Sequence, residues 1–512
     1  MFVKACKKFF LAVAISSVAG LSAGVLAAAE TPHRGGTLTV GVVSDTKTLD
    51  PTFSIQWSER QVLYLIYNTL IRTGPGFTMN PELAKSWEIA DDGLRVVFKL
   101  QEGVKFHDGT DFDAEAVKWN LDRRLDEAVG SPQRKQLRPV IESVEVVDKN
   151  TFAINLTKPF PPLLGFLAER SGFMMSPTAV EKYGEDYGSN PVGTGAFVFR
   201  EWVRGSHITV ERNDNYWEDG LPYLDRVVFS DIAGAVVGIQ RLITGEIDFI
   251  AGLSPQSVLK IEDSKDITLD PITVGQWYSL QWHWYEPPFD NSNLRKAIAH
   301  AIDRKRLSEI TMAGKAQIAN GPTPPSLWWY DDTIKGYDYD PARAKKLLAE
   351  SGFDPATELV LYSSTKSIYT QISQLVQEQL IEIGLNVRME PVSASEWYTR
   401  VVKRLVNFTP TRWTQRPDPD GLMYILFHSK GYANSTGYSN PKLDALLEEA
   451  RRISNIDKRK ALYAEVQQIL SEDLPYIPLF FSVEYAAIRN QVRDFSWVPD
   501  QVPRFRTVWK AE

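Results

Sequence analysis

The chain has 512 residues, of which 43% are hydrophobic, and it carries 57 basic and 64 acidic residues. Three lysines lie in the first 29 residues, so the remainder has 54 basic residues and a net charge of −10. This excess of negative charge repels nucleic acid and argues against a nucleic-acid-binding protein. About 480 residues follow residue 29, which is too many for a single hydrophobic core, so two or three lobes are expected.

The first 29 residues have the three parts of a secretory signal peptide. Three lysines precede an apolar run, and Ala27-Ala28-Ala29 forms a small-residue cleavage site. A membrane anchor is the alternative, but serine and glycine residues interrupt the apolar run. We therefore predict export with cleavage of this segment. The only cysteine, Cys6, lies in this segment, so the mature protein would have neither a disulfide nor a cysteine nucleophile.

The periodicity of apolar residues predicts a mixed set of strands and helices along the rest of the chain. Strands are predicted at residues 36–43, 94–100, 144–147, 151–156, 359–362 and 387–390. Helices are predicted at residues 58–70, 112–124, 294–302, 341–351, 368–383, 441–453 and 457–473. The helix at 368–383 lies between two strands and ends at Gly384, which predicts a βαβ unit with parallel strands.

Several short segments, taken together and in order, resemble one protein family. The first is PELAKSWEIADDGLRVVFKLQEGVKFH at residues 81–107, in which Asp91-Asp92-Gly93 has the chemistry of a hairpin turn. The later segments are PVGTGAF at 191–197, VERNDNYW at 210–217, LITGEID at 242–248, PFD at 288–290, RKAIAHAID at 295–303, YDPARAKKLL at 339–348, GYSNP at 437–441 and LPYIPL at 474–479. They resemble the extracellular solute-binding proteins of family 5, the peptide-, opine- and nickel-type receptors of bacterial ABC importers.

The resemblance implies an α/β fold of the periplasmic binding protein type (type II, cluster C). In this fold two α/β lobes are joined by a hinge, and one lobe carries an accessory domain. The expected organisation is a signal peptide at 1–29, lobe I at 30–78, 189–280 and 483–512, the accessory domain at 79–188 and lobe II at 281–482. The ligand is expected in the cleft between the lobes.

The sequence RWTQRPDPDG at residues 412–421 resembles the ligand-facing loop of the family. In peptide receptors an aromatic residue, here matched by Trp413, precedes a Gly-Asp pair whose Asp holds the amino group of the peptide. Gln415 and Arg416 stand at that pair in this chain, so a guanidinium replaces the expected carboxylate. Arginine is suited to binding carboxylates, which favours ligands with an exposed acid group. The alternative is that Arg416 pairs with Asp418 or Asp420 and tethers the loop. These two carboxylates could contact ligand or cap a helix.

Two aromatic patches supply further candidates. Trp277 and Tyr278 belong to a cluster of five aromatic residues before the predicted lobe crossing, and the resemblance implies that this strand lines the cleft. Trp57 and Arg60 lie in a segment resembling the loop that contacts the ligand main chain. The alternative role for that segment is a helix start with Ser58 as N-cap and Gln61 in a capping box.

No enzyme motif is found. After the predicted signal peptide the sequence has no GxSxG, GxxxxGK[ST] or HExxH, and its six histidines have no metal-ligand spacing. We therefore predict a monomeric periplasmic binding protein without cofactor, catalytic residue or metal site. It would deliver a short peptide or an opine-like, acid-bearing amino-acid conjugate to an ABC permease. The alternatives are a nickel-chelate or haem receptor of the same fold, an exported carboxylate-dependent hydrolase, or a receptor that signals through a partner.

Overall fold

The computed structural model describes residues 31–43 and 46–511. The predicted signal peptide therefore lies outside the described residues. Within them, strands and helices are mixed throughout, as the apolar periodicity predicts.

In the described part of the chain, nine strands form one large sheet. Its main order is Phe408–Thr414, Ile267–Trp282, Tyr476–Arg489, Phe249–Leu253, Thr37–Val42, Arg226–Asp231, His207–Arg212 and Phe197–Val203, with Gln317–Ile318 also paired to Tyr476–Arg489. The first strand in the sequence, Thr37–Val42, is parallel to both of its neighbours. The other pairings of this sheet are antiparallel.

Two long antiparallel strands, Ile267–Trp282 and Tyr476–Arg489, connect the two halves of this sheet. Their pairing is interrupted between Thr273 and Trp277 and between Tyr278 and Ser279. Both strands run past the predicted lobe boundaries at 280/281 and 482/483, where the chain would cross from one lobe to the other. Those boundaries remain a proposal.

A separate antiparallel sheet contains the first segment of the family resemblance. Its order is Ala84–Ile89, Arg95–Leu100, Thr151–Leu156 and Ile141–Asp148. The turn between the first two strands is the predicted one. Gly93 adopts a φ of 67°, and the Asp92 carboxylate accepts the N–H of Leu94 at 2.9 Å. The helix Ala114–Leu125 packs on this sheet and begins at Asp113, whose carboxylate accepts the N–H of Ala116.

The βαβ prediction is confirmed. Strands Leu359–Ser364 and Val387–Val392 are parallel, and the helix Ser367–Glu382 connects them. Two further small sheets pair Ile71–Thr73 with Met79–Pro81 and Val492–Arg493 with Trp509–Lys510.

The α-helices of residues 31–43 and 46–511 are Trp57–Ile66, Ala114–Leu125, Arg134–Leu137, Leu163–Leu167, Pro177–Tyr183, Ala235–Ile243, Pro255–Val258, Ser292–Ala301, Arg304–Met312, Pro341–Ser351, Ser367–Glu382, Ala394–Val402, Asp420–Phe427, Pro441–Ala450 and Ile456–Asp473. Short 3-10 turns lie at Pro75–Phe77, Arg170–Gly172 and Gly184–Ser189.

The first helix ends at Ile66, four residues earlier than predicted, because another segment packs against its end. The N–H of Gly195 donates to the carbonyl of Ile66 at 2.9 Å. A Cβ atom at Gly193 would lie 2.3 Å from that same carbonyl oxygen, and one at Gly195 would lie 2.3 Å from the carbonyl oxygen of Leu65. Glycine at both positions is therefore required for this close approach, which explains the PVGTGAF segment physically.

Candidate ligand-binding cleft

A cleft of about 540 Å³ is lined by three separate parts of the chain. They are Ser54 and Ile55, residues between 132 and 171, and residues between 416 and 451. The second part belongs to the predicted accessory domain and the third to predicted lobe II, and we call these the accessory wall and the lobe II wall. The volume suits a small solute of the size that such clefts bind.

Arg416 lies on the lobe II wall, in the loop that follows the strand Phe408–Thr414. Its side chain is exposed. The tether interpretation is wrong, because both carboxylates that it would need are bound by other arginines. Arg459 donates to the two oxygens of Asp418 at 2.8 Å each. Arg451 Nε lies 2.8 Å from Oδ1 of Asp420. Within residues 31–43 and 46–511, Arg416 has no ion pair.

Asp418 and Asp420 hold the loop through these pairs. Asp418 also accepts the N–H of Asp420 at 3.0 Å, at the first residue of the helix Asp420–Phe427. The N-cap residue of this helix is Pro419, so the helix-cap interpretation of Asp418 is wrong, and its carboxylate instead closes the turn before the helix. Both residues line the cleft, but each carboxylate already forms an ion pair with an arginine, and a ligand contact from them stays a prediction.

The four other predicted residues of this region lie in or against the hydrophobic core. Gln415 donates its N–H to the carbonyl of Gly275 at 2.6 Å and its side-chain amide to the carbonyl of Pro322. Trp277 is 1% exposed and lies opposite Trp413 on the neighbouring strand. Tyr278 stacks on a phenylalanine ring at 5.1 Å between centroids. None of the four lines the cleft, and a ligand contact from them stays a prediction.

The segment containing Trp57 and Arg60 is bound to the C-terminal part of the chain. Arg60 is buried, and its Nη2 lies 2.6 Å from Oδ2 of Asp500. The Trp57 indole donates to the carbonyl of Gln501 at 3.2 Å. Neither residue lines the cleft, so a ligand contact from them also stays a prediction. The interpretation of Ser58 as N-cap is wrong.

The N-cap of this helix is Gln56. It forms a capping box with Glu59, whose carboxylate accepts the N–H of Gln56 at 2.9 Å and that of Ile55 at 2.9 Å. A glutamate three residues after the cap satisfies the free N–H groups better than Gln61 could. Glu59 thereby fixes the chain that leads into the cleft at Ser54 and Ile55.

The described residues contain no group of three or more histidine, cysteine, aspartate or glutamate side chains that could hold a metal ion. No helix in residues 31–43 and 46–511 combines the length and the apolar character that crossing a bilayer requires.

A protein-family model described as "Bacterial extracellular solute-binding proteins, family 5 Middle" matches residues 78–434 of this chain. The chain belongs to this family. Its resemblance to family 5, expected from the sequence segments, is therefore confirmed.

Known relatives agree with this assignment. The glutathione-binding protein GsiB of Shigella flexneri is 32% identical over 474 residues, which cover 90% of this chain and 92% of GsiB. GsiB of Escherichia coli (strain K12) is 31% identical over 474 residues, with the same coverage of both chains.

Solved structures share the fold. HbpA2 from Haemophilus parasuis superposes with a TM-score of 0.88 at 23% identity and covers 93% of this chain and 100% of its own. The ABC transporter-associated periplasmic binding protein DppA from Helicobacter pylori, in complex with peptide STSA, has a TM-score of 0.74 at 27% identity and covers 94% and 99%. The predicted α/β fold of the periplasmic binding protein type is thus confirmed, and the family 5 protein is the solute-binding component of an ABC importer.

The residues of the accessory wall were not predicted from the sequence. Lys135, Lys158, Glu169 and Arg170 line the cleft together with Ser54. No motif connects these positions, and they come together only through the fold. Tyr432, which is 77% exposed on the lobe II wall, was also missed.

Burial raises the pKa of Asp420 to about 6, and the negative charge of Asp418 adds to this rise, while the nearby guanidinium of Arg451 opposes it. The folded family 5 protein therefore keeps this proton up to about pH 6, whereas an unfolded chain loses it near pH 4. Between these values the folded state binds more protons, so its stability falls as the pH rises.

We expect Asp420→Asn to remove this pH dependence. From pH 4 to pH 7, the unfolding free energy of the wild type should fall by about 2–3 kcal/mol relative to that of the variant. Urea unfolding of both proteins at several pH values measures the difference. If the difference in unfolding free energy between the wild type and Asp420→Asn did not change with pH, the raised pKa of Asp420 would be contradicted.

Proposed function

We propose that this family 5 protein is a periplasmic receptor that captures a short peptide or amino-acid conjugate with an exposed acid group. The observation that carries the proposal is the guanidinium of Arg416. It lies on the cleft lining without an ion pair in the described chain, while the carboxylates nearest in sequence are bound by Arg459 and Arg451. An arginine in a cleft binds a carboxylate with two parallel hydrogen bonds. The glutathione-binding relatives support an acid-bearing ligand.

Binding would proceed without covalent chemistry. The ligand contacts the accessory wall and the lobe II wall together only when they approach each other, so it shifts an open-to-closed equilibrium toward the closed state. The closed receptor then docks on the permease. We infer that the mature protein begins after residue 29, acts as a monomer, binds no nucleic acid and is not an enzyme. The binding-protein names of its relatives support the last inference.

The test is ligand-induced stabilisation of the mature, ligand-stripped protein. The panel contains glutathione, acidic dipeptides, opine-like conjugates, peptide amides without a free acid, oligosaccharides and nickel chelates. A ligand at about 100 times its Kd adds about 2.7 kcal/mol to the stability, which raises Tm measurably. Acid-bearing compounds should raise Tm, and the amides should not.

Arg416→Ala should weaken binding of the acid-bearing compounds by more than about tenfold, or about 2 kcal/mol. Arg200→Ala is the matched control, because Arg200 is exposed on the strand Phe197–Val203 and does not line the cleft. It should leave binding unchanged. Stabilisation by neutral amides that persists in Arg416→Ala would contradict the proposal, and stabilisation by a nickel chelate alone would favour the metal-chelate receptor.

A further inference from the structure

A second guanidinium that has no carboxylate partner among the described residues lies on the accessory wall of the same cleft. Arg170 Nη2 donates to the carbonyl of Ile55 at 3.1 Å and to that of Gln56 at 3.5 Å. Its Nε is buried and has no hydrogen-bond partner within residues 31–43 and 46–511. The adjacent Glu169 gives it no ion pair, because the carboxylate of Glu169 lies 3.4 Å from Arg60 instead.

Burial and the positive charge of Arg60 lower the pKa of Arg170. The cation is therefore poorly compensated by its surroundings. Backbone carbonyls carry only partial charge, so they do not neutralise a guanidinium as a carboxylate does. The protein groups around Arg170 therefore do not neutralise its positive charge at this end of the cleft.

An independent feature lies beside Arg170. Ser54 is 0% exposed and lines the cleft, and its Oγ has no hydrogen-bond partner in the part of the chain that the structure describes. The carbonyl of the next residue, Ile55, is the one that accepts from Arg170, so the hydroxyl and the guanidinium belong to the same end of the cleft. A buried hydroxyl without a partner is costly. An acid group bound there would accept from both donors.

The charged residues that line the cleft also indicate a site for negatively charged groups on both walls. Each of its three acidic residues is already paired: Glu169 with Arg60, Asp418 with Arg459 and Asp420 with Arg451. Four of its five basic residues have no ion pair among the described residues: Lys135, Lys158, Arg170 and Arg416. Three of these four lie on the accessory wall, and only Arg416 lies opposite. A ligand with one acid group would leave one wall uncompensated.

The two walls belong to one cavity. Gly165 on the accessory wall lies close to Pro417 on the lobe II wall, because a Cβ atom added at Gly165 would lie 3.3 Å from that of Pro417. The cleft lining also includes apolar side chains, namely Phe160 and Phe166 on the accessory wall and Ile425 on the lobe II wall. Such a surface suits an apolar or uncharged middle part of a ligand.

From this arrangement we propose a second anion-binding site at Arg170 and Ser54. The ligand then has two acid groups, of which Arg416 binds one and Arg170 and Ser54 bind the other. Lys135 and Lys158 add positive charge around the second site. The ligand class is thus narrowed to diacids with an uncharged middle part, such as peptides that have a free C-terminal carboxylate and one further carboxylate. This inference rests on the proposed function of the cleft.

The experiment measures Kd by titration calorimetry with two sets of matched probes. One set is glutathione and its two monoamides, amidated at the glycine or at the glutamyl α-carboxyl group. The other is Ala-Glu, Ala-Gln and Ala-Glu α-amide. The proteins are wild type, Arg416→Gln, Arg170→Gln, Arg170→Lys and Ser54→Ala, with Arg200→Gln as control. The Tm of each protein without ligand checks that it is folded, and Arg170→Lys and Ser54→Ala keep the test valid if Arg170→Gln unfolds.

Arg170→Gln and Arg416→Gln should each weaken a diacid by about tenfold or more. Ser54→Ala should weaken it by a few-fold, and Arg170→Lys should lie between wild type and Arg170→Gln. One monoamide should abolish the effect of Arg170→Gln while that of Arg416→Gln remains, and the other monoamide should do the reverse. The control should bind all probes like the wild type.

If the same monoamide abolished the effects of both Arg170→Gln and Arg416→Gln on affinity, both arginines would bind the same acid group of the ligand. This result would overturn the second site, while the proposed function would stand. Diacid binding that Arg170→Gln, Arg170→Lys and Ser54→Ala leave unchanged overturns it equally. Binding of monoacids but of neither diacid at about 1 mM would also overturn it. If no acid-bearing probe binds at all, the proposed function fails as well.

Discussion

Replacing Asp500 with asparagine is expected to lower the free energy of unfolding by about 3–5 kcal/mol. The carboxylate is 4% exposed and lies 2.6 Å from Arg60 and 2.7 Å from Arg504. Asparagine keeps the shape but removes the charge, which leaves the guanidinium of Arg504 without its carboxylate partner and the buried Arg60 with only the Glu169 carboxylate, 3.4 Å away. Urea unfolding of the mature, ligand-free protein at pH 7 measures the loss.

The pH dependence gives a second measurement of the same residue. Burial alone would raise the pKa of Asp500, but Arg504 and Arg60 outweigh it, and the pKa lies below its ordinary value. Its contribution to stability is therefore complete above the unfolded-state pKa near 4, and it is lost as the pH falls through the lower pKa of the folded state. The difference between the wild type and Asp500→Asn should accordingly shrink in acid.

Asp122→Asn is the control, since Asp122 forms an exposed pair with Lys118 one helical turn away. Such pairs contribute about 0.5 kcal/mol or less. If Asp500→Asn were as mild as this control, Arg60 would not depend on Asp500, and the sequence-based prediction that Arg60 contacts ligand would regain support.

Local features of the fold could be predicted from the sequence. The helix Pro341–Ser351 has the predicted bounds because Asp340 caps it, Pro341 occupies its first turn and Gly352 ends it. The parallel strands around Ser367–Glu382 followed from the change of apolar period. These signals lie within a few residues of the element that they determine.

The partners of the candidate site could not be predicted in the same way. Arg60 and Asp500 are 440 residues apart, and Arg170 reaches the carbonyl of Ile55 across 115 residues. No local pattern encodes such contacts. Trp277 shows a related limit: an aromatic residue on a central strand has the same pattern whether it faces a cleft or the core, and here it is in the core.

The family resemblance located the Arg416 loop but not its supports. Arg451 and Arg459 follow Asp420 and Asp418 by 31 and 41 residues. They come from the end of one helix, Pro441–Ala450, and from the start of the next, Ile456–Asp473. Only the packing of these helices against the loop shows that both carboxylates are paired with other arginines, which supports the proposal that Arg416 binds a ligand.

Asp418→Ala is expected to lower the free energy of unfolding by about 3–5 kcal/mol and to weaken binding of acid-bearing ligands. The substitution removes both hydrogen bonds to Arg459, whose side chain is 6% exposed. It also removes the acceptor that fixes the N–H of Asp420, so the loop that carries Arg416 loses its attachment on the side that follows Arg416. A loop that is ordered only on binding weakens the affinity by the cost of that ordering. Urea unfolding and calorimetry with glutathione measure the two effects, and Glu449→Ala, an exposed change nearby, is the control.

The double variant Asp418→Leu with Arg459→Met separates the two effects of this ion pair. Replacing a buried ion pair with apolar side chains of similar volume often restores stability, so the double variant should recover most of the unfolding free energy. It should not recover the affinity, because leucine cannot accept the N–H of Asp420 and the position of Arg416 depends on that contact. Recovery of both quantities would show that the pair acts only through stability. Full stability with lost affinity in Asp418→Ala alone would instead return Asp418 to the ligand contacts predicted from the sequence.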